Sequence, residues 1–257
     1  MKDKFDNLQK YLNNLNEQGI CLAFSGGIDS TVLLYLCKNL NTIATTFRSV
    51  FQSKEEIEET KNICKEYNVK QVIIDYYPLE NPIIKNNPKD RCYHCKKLFF
   101  SQLKDFAGNK IILDGTNADD LKTYRPGIKA LKELHIISPL ADFKITKQEI
   151  REFAKLNGIK NYNKPSTPCF ATRFPYNTSL DEKLINLAQK GENIIKNSGF
   201  DSCRFRIHNN IARIEIPSKD IDKFIKSKDE IVNKLKTLDI KYLTLDLEGL
   251  RSGSMDI

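Results

Sequence analysis

Ile20-Cys21-Leu22-Ala23-Phe24-Ser25-Gly26-Gly27-Ile28-Asp29-Ser30 carries the strongest fold signal in this chain. Ile20 to Phe24 is a short, fully apolar run that reads as a buried strand, and the residues from Ser30 to Leu40 read as a helix. Between them, two glycines let the backbone turn tightly and present N–H groups, the Ser25 and Ser30 hydroxyls add donors, and the helix N-terminus adds positive potential. Together these features form a phosphate cradle. A plain strand-to-helix connection is the bland alternative, and the strand–loop–helix context weighs against it. The loop lacks the Gly-Lys-Ser/Thr of a Walker A motif and is not a dinucleotide fingerprint.

Outward from this loop, strands and helices alternate. A helix is expected at 4–18, strands at 42–47, 70–76, 110–113 and 135–140, and helices at 54–67, 97–106, 128–134 and 146–157. Continuous apolar strands separated by helices predict an α/β fold whose parallel sheet is covered on both faces and binds ligands beyond the carboxyl ends of its strands. Residues 159–178 read as a loop of about 20 residues, too long for a mere connection. A helix at 180–197, a hairpin of 204–208 with 211–216 turning at Asn209-Asn210, a helix at 220–235 and a strand at 242–247 form a smaller α/β unit. The division expected is therefore a domain over 1–175 and a second over 176–257.

The 257 residues include 41 Lys and Arg against 33 Asp and Glu, a net charge of +8 that attracts anions without choosing among nucleotides, phosphorylated metabolites and RNA. Much of the lysine lies on predicted helix faces, where it serves solubility. No apolar run approaches the ~20 residues that span a bilayer. The charged start, Met1-Lys2-Asp3-Lys4, lacks a signal peptide's apolar stretch, so a cytoplasmic location without membrane contact is expected. In a reducing compartment the seven cysteines are not expected to form a disulfide framework.

Ser25 to Ser30 resembles the pyrophosphate (PP) loop of the ATP pyrophosphatases, which have the adenine nucleotide alpha hydrolase fold. Further stretches narrow the resemblance: Arg91-Cys92-Tyr93-His94-Cys95-Lys96, Asp114-Gly115-Thr116-Asn117-Ala118-Asp119-Asp120, Tyr124-Arg125-Pro126-Gly127, Pro168-Cys169-Phe170-Ala171-Thr172-Arg173, and Gly249-Leu250-Arg251-Ser252-Gly253-Ser254-Met255-Asp256. These are similar to the LarE family, ATP-dependent sulfur transferases of nickel-pincer cofactor biosynthesis. The resemblance implies adenylation of a carboxylate of pyridinium-3,5-biscarboxylic acid mononucleotide, its conversion to a thiocarboxylate, and AMP and pyrophosphate as by-products. Ala23, Phe24, Ser25, Gly26, Gly27, Asp29, Ser30, Phe47 and Gly115 are then the expected ATP contacts, with Asp29 the natural partner of Mg2+ or of the ribose side. Asp114, Asp119 and Asp120 suit either metal and nucleotide or a helix cap.

Cys92 and Cys95 have the two-residue spacing that lets two thiolates reach one metal centre, and Cys169 in the long loop supplies a third. The expected cofactor is a three-cysteine 4Fe-4S cluster with one open iron to carry the transferred sulfur, with or without an extra sulfide. Zinc with His94 or a distant histidine as fourth ligand and a redox Cys-x-x-Cys pair are the alternatives. The resemblance also implies a second type of LarE-like protein, in which the loop cysteine surrenders its own sulfur and becomes dehydroalanine. Cys21, Cys37, Cys64 and Cys203 are read as lying in strands or helices, as core or partly buried residues.

Arg204, Arg206 and His208 alternate along one predicted strand, and Arg213 and Glu215 along its partner. Two arginines on one face suit a phosphate or carboxylate, and a solvated polar face is the alternative. By resemblance Arg204 and Arg206, with Arg251, bind substrate, and Glu215 and Glu192 help to hold a divalent metal. The partners expected are a small nucleotide-like substrate, sulfide or a desulfurase as sulfur donor, and further copies of the chain. A cluster-dependent tRNA thiolation enzyme is the main rival. The absence of zinc-ribbon cysteine pairs and of a dense basic extension weighs against it. A non-enzymatic iron–sulfur or nucleotide-sensing module leaves the loop, cysteines and arginines without a joint purpose.

Overall fold

The structure is a computed structural model and describes residues 1–122, 125–165 and 167–251. Its elements begin with α1 (Lys2–Asn14), β1 (Ile20–Ala23), α2 (Ile28–Cys37), β2 (Thr42–Arg48), α3 (Lys54–Glu66), β3 (Lys70–Asp75), α4 (Pro82–Lys85), α5 (Arg91–Ala107) and β4 (Ile111–Leu113). They continue with α6 (Pro126–Glu133), α7 (Pro139–Asp142), α8 (Lys147–Leu156), α9 (Glu182–Asn197), β5 (Arg204–His208), β6 (Ile211–Glu215), α10 (Ile221–Lys226), α11 (Lys228–Leu235) and β7 (Tyr242–Leu245). Tyr124 and the run from Ser252 to Asp256, parts of the quoted motifs, lie outside the described residues. The chain divides into two compact units: residues 1–78 with 90–167, and residues 79–89 with the chain from 168 onward.

In the first unit four strands lie in the order β3-β2-β1-β4, all parallel, with Leu22 of β1 opposite Ala44 of β2 and Leu113 of β4. The chain first steps outward from β1 through β2 to β3, then returns to the other side of β1. The carboxyl end of β1 is thus the switch point where such sheets open a ligand crevice. Apolar strands require cover, which Leu8, Leu12, Val32, Leu33, Leu34 and Ile150 help to supply as buried core. Helices α3 and α8 each start with a capping box, Ser53 with Glu56 and Thr146 with Glu149.

Two expectations change here. The strand predicted at 135–140 is a single bridge from Ile137 to Leu113, followed by α7. His135 takes a left-handed φ of 55°, and Pro139 has no N–H for a ladder, so an apolar run that reads as a strand cannot continue as one. Helix α5 starts at Arg91, not near 97. Residues 91–96 hold no Gly or Pro to stop it, and the Cys-x-x-Cys pair therefore lies on a helix.

In the second unit β5 and β6 are antiparallel, Arg206 facing Arg213 and Arg204 facing Glu215, and β7 adds in parallel to β6. Asn209, at φ 54°, makes the hairpin turn, a conformation Asn tolerates. Helix α9 packs on this sheet so closely that a Cβ at Gly191 would stand 2.4 Å from the Phe205 ring. The helix expected over 220–235 is broken at Ser227 into α10 and α11.

Candidate functional site

The loop at the end of β1 is held in shape by its own small residues. Gly26 takes φ 73°, where a Cβ would also press on the Thr60 methyl at 3.0 Å, so glycine is required there. The Gly27 N–H donates to Ser25 Oγ at 3.3 Å, and Ser30 Oγ and Thr31 Oγ1 donate to the Gly27 carbonyl at 2.9 and 3.0 Å. Asn161 donates to the Gly26 carbonyl and to Thr31 Oγ1, both at 3.1 Å, which braces the loop from the far end of the unit. Gly115, after β4, closes the other side. A Cβ there would come 3.1 Å from the Ser30 nitrogen, so the backbone can approach the start of α2 only without a side chain.

Asp29 is engaged by two residues, Lys147 Nζ at 2.5 Å and Asn117 Nδ2 at 3.3 Å. Lys147 was not singled out from the sequence. Its signal is the Thr146-x-x-Glu149 capping box, which puts Lys147 in the first turn of α8, and its backbone N–H also donates to Asp119 at 2.9 Å. Asp114 is buried and accepts from Thr116 Oγ1 at 2.6 Å and Ser138 Oγ at 2.5 Å, while Asp120 accepts from the Asn117 N–H. The acidic residues of this stretch tie down the loop after β4. Ala23 is half-buried, Phe24 is buried, and the Phe47 ring packs 3.8 Å from the Phe99 ring, which leaves its backbone at the strand end as the part that can face a ligand.

Cys92 and Cys95 stand three residues apart on one face of α5, the first exposed and the second half-buried. Cys21, Cys37, Cys64 and Cys203 are buried, and burial pushes the thiols of Cys37, Cys64 and Cys203 up to about 12. Cys92, Cys95 and Cys169 are exposed or half-buried sulfur donors, which fits a cluster where the buried core cysteines do not. Among the described residues no group of three or more His, Cys, Asp and Glu side chains is gathered as a metal centre.

The polar face of the hairpin in the second unit is centred on buried Arg206 and Glu215, with Arg204, His208 and Arg213 half-buried around them. Arg206 and Glu215 are 1% and 0% exposed and join at 2.6 Å, and Arg213 reaches the same Glu215 oxygen at 3.1 Å. Arg204 lies 3.9 Å from Glu215 and donates to the Arg251 carbonyl at 2.9 Å. Arg213 and Arg251 both stand 3.6 Å from Asp246. Glu192 is held by Arg173 at 2.5 and 3.2 Å. With Glu248, which pairs with Arg251 at 2.5 Å, five guanidinium groups share four carboxylates among the described residues, which leaves net positive charge suited to an anion. Burial, and then the neighbouring arginines, hold the Arg204 guanidinium below its ordinary pKa; burial does the same to Arg206 against the pull of Glu215. A divalent ion at Glu192 or Glu215 would share a carboxylate that already pairs with arginine. Arg173 entered the sequence reading only as part of a motif, and nothing in its local pattern signals a partner on α9.

A PP loop at the carboxyl edge of a parallel sheet defines this chain as an ATP-using α/β protein of the ATP pyrophosphatase class. The NAD synthase family model matches residues 1–92. The solved NMN synthetase of Francisella tularensis shares the fold, with a TM-score of 0.53 at 16% identity over 92% of this chain and 93% of that one. Pyridinium-3,5-bisthiocarboxylic acid mononucleotide synthase of Lactiplantibacillus plantarum is 37% identical over 93% of this chain and 89% of its own. An uncharacterised protein of Synechocystis is 33% identical over 100% of this chain and 98% of its own. The chain belongs to the LarE family, that of the Lactiplantibacillus synthase. No helix among the described residues is long and apolar enough to cross a membrane.

Proposed function

We propose that this protein is an ATP-dependent sulfur transferase that converts a carboxylate of pyridinium-3,5-biscarboxylic acid mononucleotide to a thiocarboxylate. The observation that carries the reading is the 37% identity with the Lactiplantibacillus synthase over 93% of this chain and 89% of that one. A substrate carboxylate oxygen attacks the α-phosphorus of ATP, the bond from that phosphorus to the bridging oxygen breaks, and pyrophosphate leaves into the N–H groups of the PP loop. Hydrosulfide then attacks the acyl carbon, the bond to AMP breaks, and thiocarboxylate, AMP and a proton are released.

Arg204, Arg206 and Arg251 orient the substrate through its phosphate or free carboxylate, and Asp29 is the residue that would hold Mg2+. Cys92, Cys95 and Cys169 would hold a 4Fe-4S cluster, whose chemistry is to present sulfide at an open iron. No step uses a cation at Glu192 or Glu215.

The test incubates anaerobically prepared protein with ATP, the biscarboxylate nucleotide and sulfide. AMP, pyrophosphate and a product heavier by the exchange of oxygen for sulfur are expected, whereas ADP and orthophosphate would overturn the reading. Iron and sulfide in the preparation, lost together with sulfur transfer in Cys92→Ala, Cys95→Ala or Cys169→Ala, support the cluster. Dehydroalanine at position 169 with Cys92→Ala still active would instead make Cys169 the sacrificial donor. Turnover of tRNA, with affinity falling steeply in salt, would favour the thiolation rival.

A further inference from the structure

Around the short turn Phe170–Arg173 that follows Cys169, the carbonyls of Pro168, Cys169 and Thr172 each accept from an arginine of the cluster or from Thr172. Arg173 Nη1 donates to the Pro168 carbonyl at 3.2 Å and to Thr172 Oγ1 at 2.9 Å. Thr172 donates to the Cys169 carbonyl through its N–H at 3.0 Å and its hydroxyl at 2.9 Å. Arg206 Nη1 donates to the Thr172 carbonyl at 2.5 Å while its Nε stays on Glu215. Glu192 anchors the whole set. Its carboxylate takes both forks of Arg173 and the Phe205 N–H at 3.1 Å, which joins helix α9, strand β5 and the turn at one buried point.

We infer that Arg173 and Glu192 are positioning residues that hold the Cys169 turn in register with the arginine pair on β5. Arg173 and Glu192 are both 1% exposed, and their polar atoms engage each other, the Cys169 turn and the β5 backbone. A buried guanidinium is costly unless fully paired, and Lys could not serve both the Glu192 fork and the Pro168 carbonyl. The same Arg206 that is assigned to substrate also holds the turn, so the backbone on both sides of Cys169 is referenced to the anion site. This inference rests on the sulfur-transfer reading for its consequence in turnover, but the geometry stands without it.

The test uses the full-length, reduced, iron-free chain and iodoacetamide, with alkylation at each cysteine counted by mass spectrometry. In Glu192→Gln the carboxylate charge is lost at constant size. Cys169 should then alkylate about fivefold faster, as expected when a hydrogen bond restraining it is lost, while Cys92 and Cys95 in the same molecules keep their rates. Thr172→Val leaves the buried ion pair intact and should also speed Cys169, by a smaller factor, which decides the matter should Glu192→Gln fail to fold. In turnover, kcat should fall about tenfold or more with little change in KM, because sulfur is misplaced and substrate binding is not. An unchanged Cys169 rate in both variants, or a parallel rise at all three cysteines, would overturn the inference and leave the pair as core structure alone. Absence of thiocarboxylate formation by the unmutated protein would instead overturn the functional proposal, with the alkylation result still deciding this one.

Discussion

The phosphate loop of the first unit and the arginine cluster of the second both suit anions, yet they are built by opposite means. The loop offers backbone N–H groups and hydroxyls over about six consecutive residues, costs no buried charge, and is stabilised by small side chains that hydrogen-bond within it. The cluster draws Arg173, Glu192, Arg206 and Glu215 from four separate elements and buries them almost completely. Breaking the loop should therefore cost binding, whereas breaking the cluster should cost stability first. The difference is physical: an exposed backbone cradle has water as its alternative partner, and a buried guanidinium has none.

The sharpest way to break this contrast is Arg206→Ala, which removes the closest partner of fully buried Glu215. Loss of one member of a buried pair costs about 3–5 kcal/mol, so thermal melting should show a large fall in Tm with ATP binding retained until unfolding. An unchanged Tm would mean that the cluster does not support the fold. Gly191→Ala comes next. The added Cβ would meet the Phe205 ring at 2.4 Å, and overpacking of this kind costs about 1–3 kcal/mol in a denaturant melt.

Gly27→Val tests the opposite side of the comparison. Gly27 has φ −71° and ψ 155°, which valine adopts, and its Cβ would meet only Ser25 Oγ, at 3.4 Å. Stability should hardly change, while ATP affinity measured by titration calorimetry should fall about tenfold or more because a side chain occupies the phosphate approach. A parallel loss of Tm would erase the distinction between the two sites.

The smallest effect concerns His208, whose pKa is pushed down by burial and then by Arg213 and Arg206. The folded state thus binds a proton more weakly than the unfolded chain. Its contribution is present above the ordinary histidine range near 6.5 and is lost as pH falls through that value and below. Melting between pH 7.5 and 5.5 should show a modest acid destabilisation that is reduced in His208→Gln. An identical pH slope in the variant would assign it to other groups.

Legibility followed the range of the interactions. The parallel sheet, its helices and the phosphate loop were readable because each rests on neighbouring residues: apolar runs, helical spacing, and glycines at a strand end. Local pattern misled where a single residue overrode it. His135 and Pro139 turned an apolar run into a bridge and a short helix, Ser227 divided a long helical pattern, and the absence of a breaker before Lys97 let α5 run back over Cys92 and Cys95. The alternation of Arg204, Arg206, Arg213 and Glu215 was visible as a shared face, but alternation alone left a solvated surface open.

By itself the sequence determined the α/β class, the position of the phosphate loop and the family, since each is carried by contiguous residues whose chemistry needs no distant partner. Only the tertiary structure decided that the centre of the hairpin's polar face is buried, that Asp29 meets Lys147, and that Arg173 meets Glu192. The two partners in each of these pairs stand far apart along the chain, and the cost of an unpaired buried charge is felt only after folding has removed the water that would otherwise serve each of them.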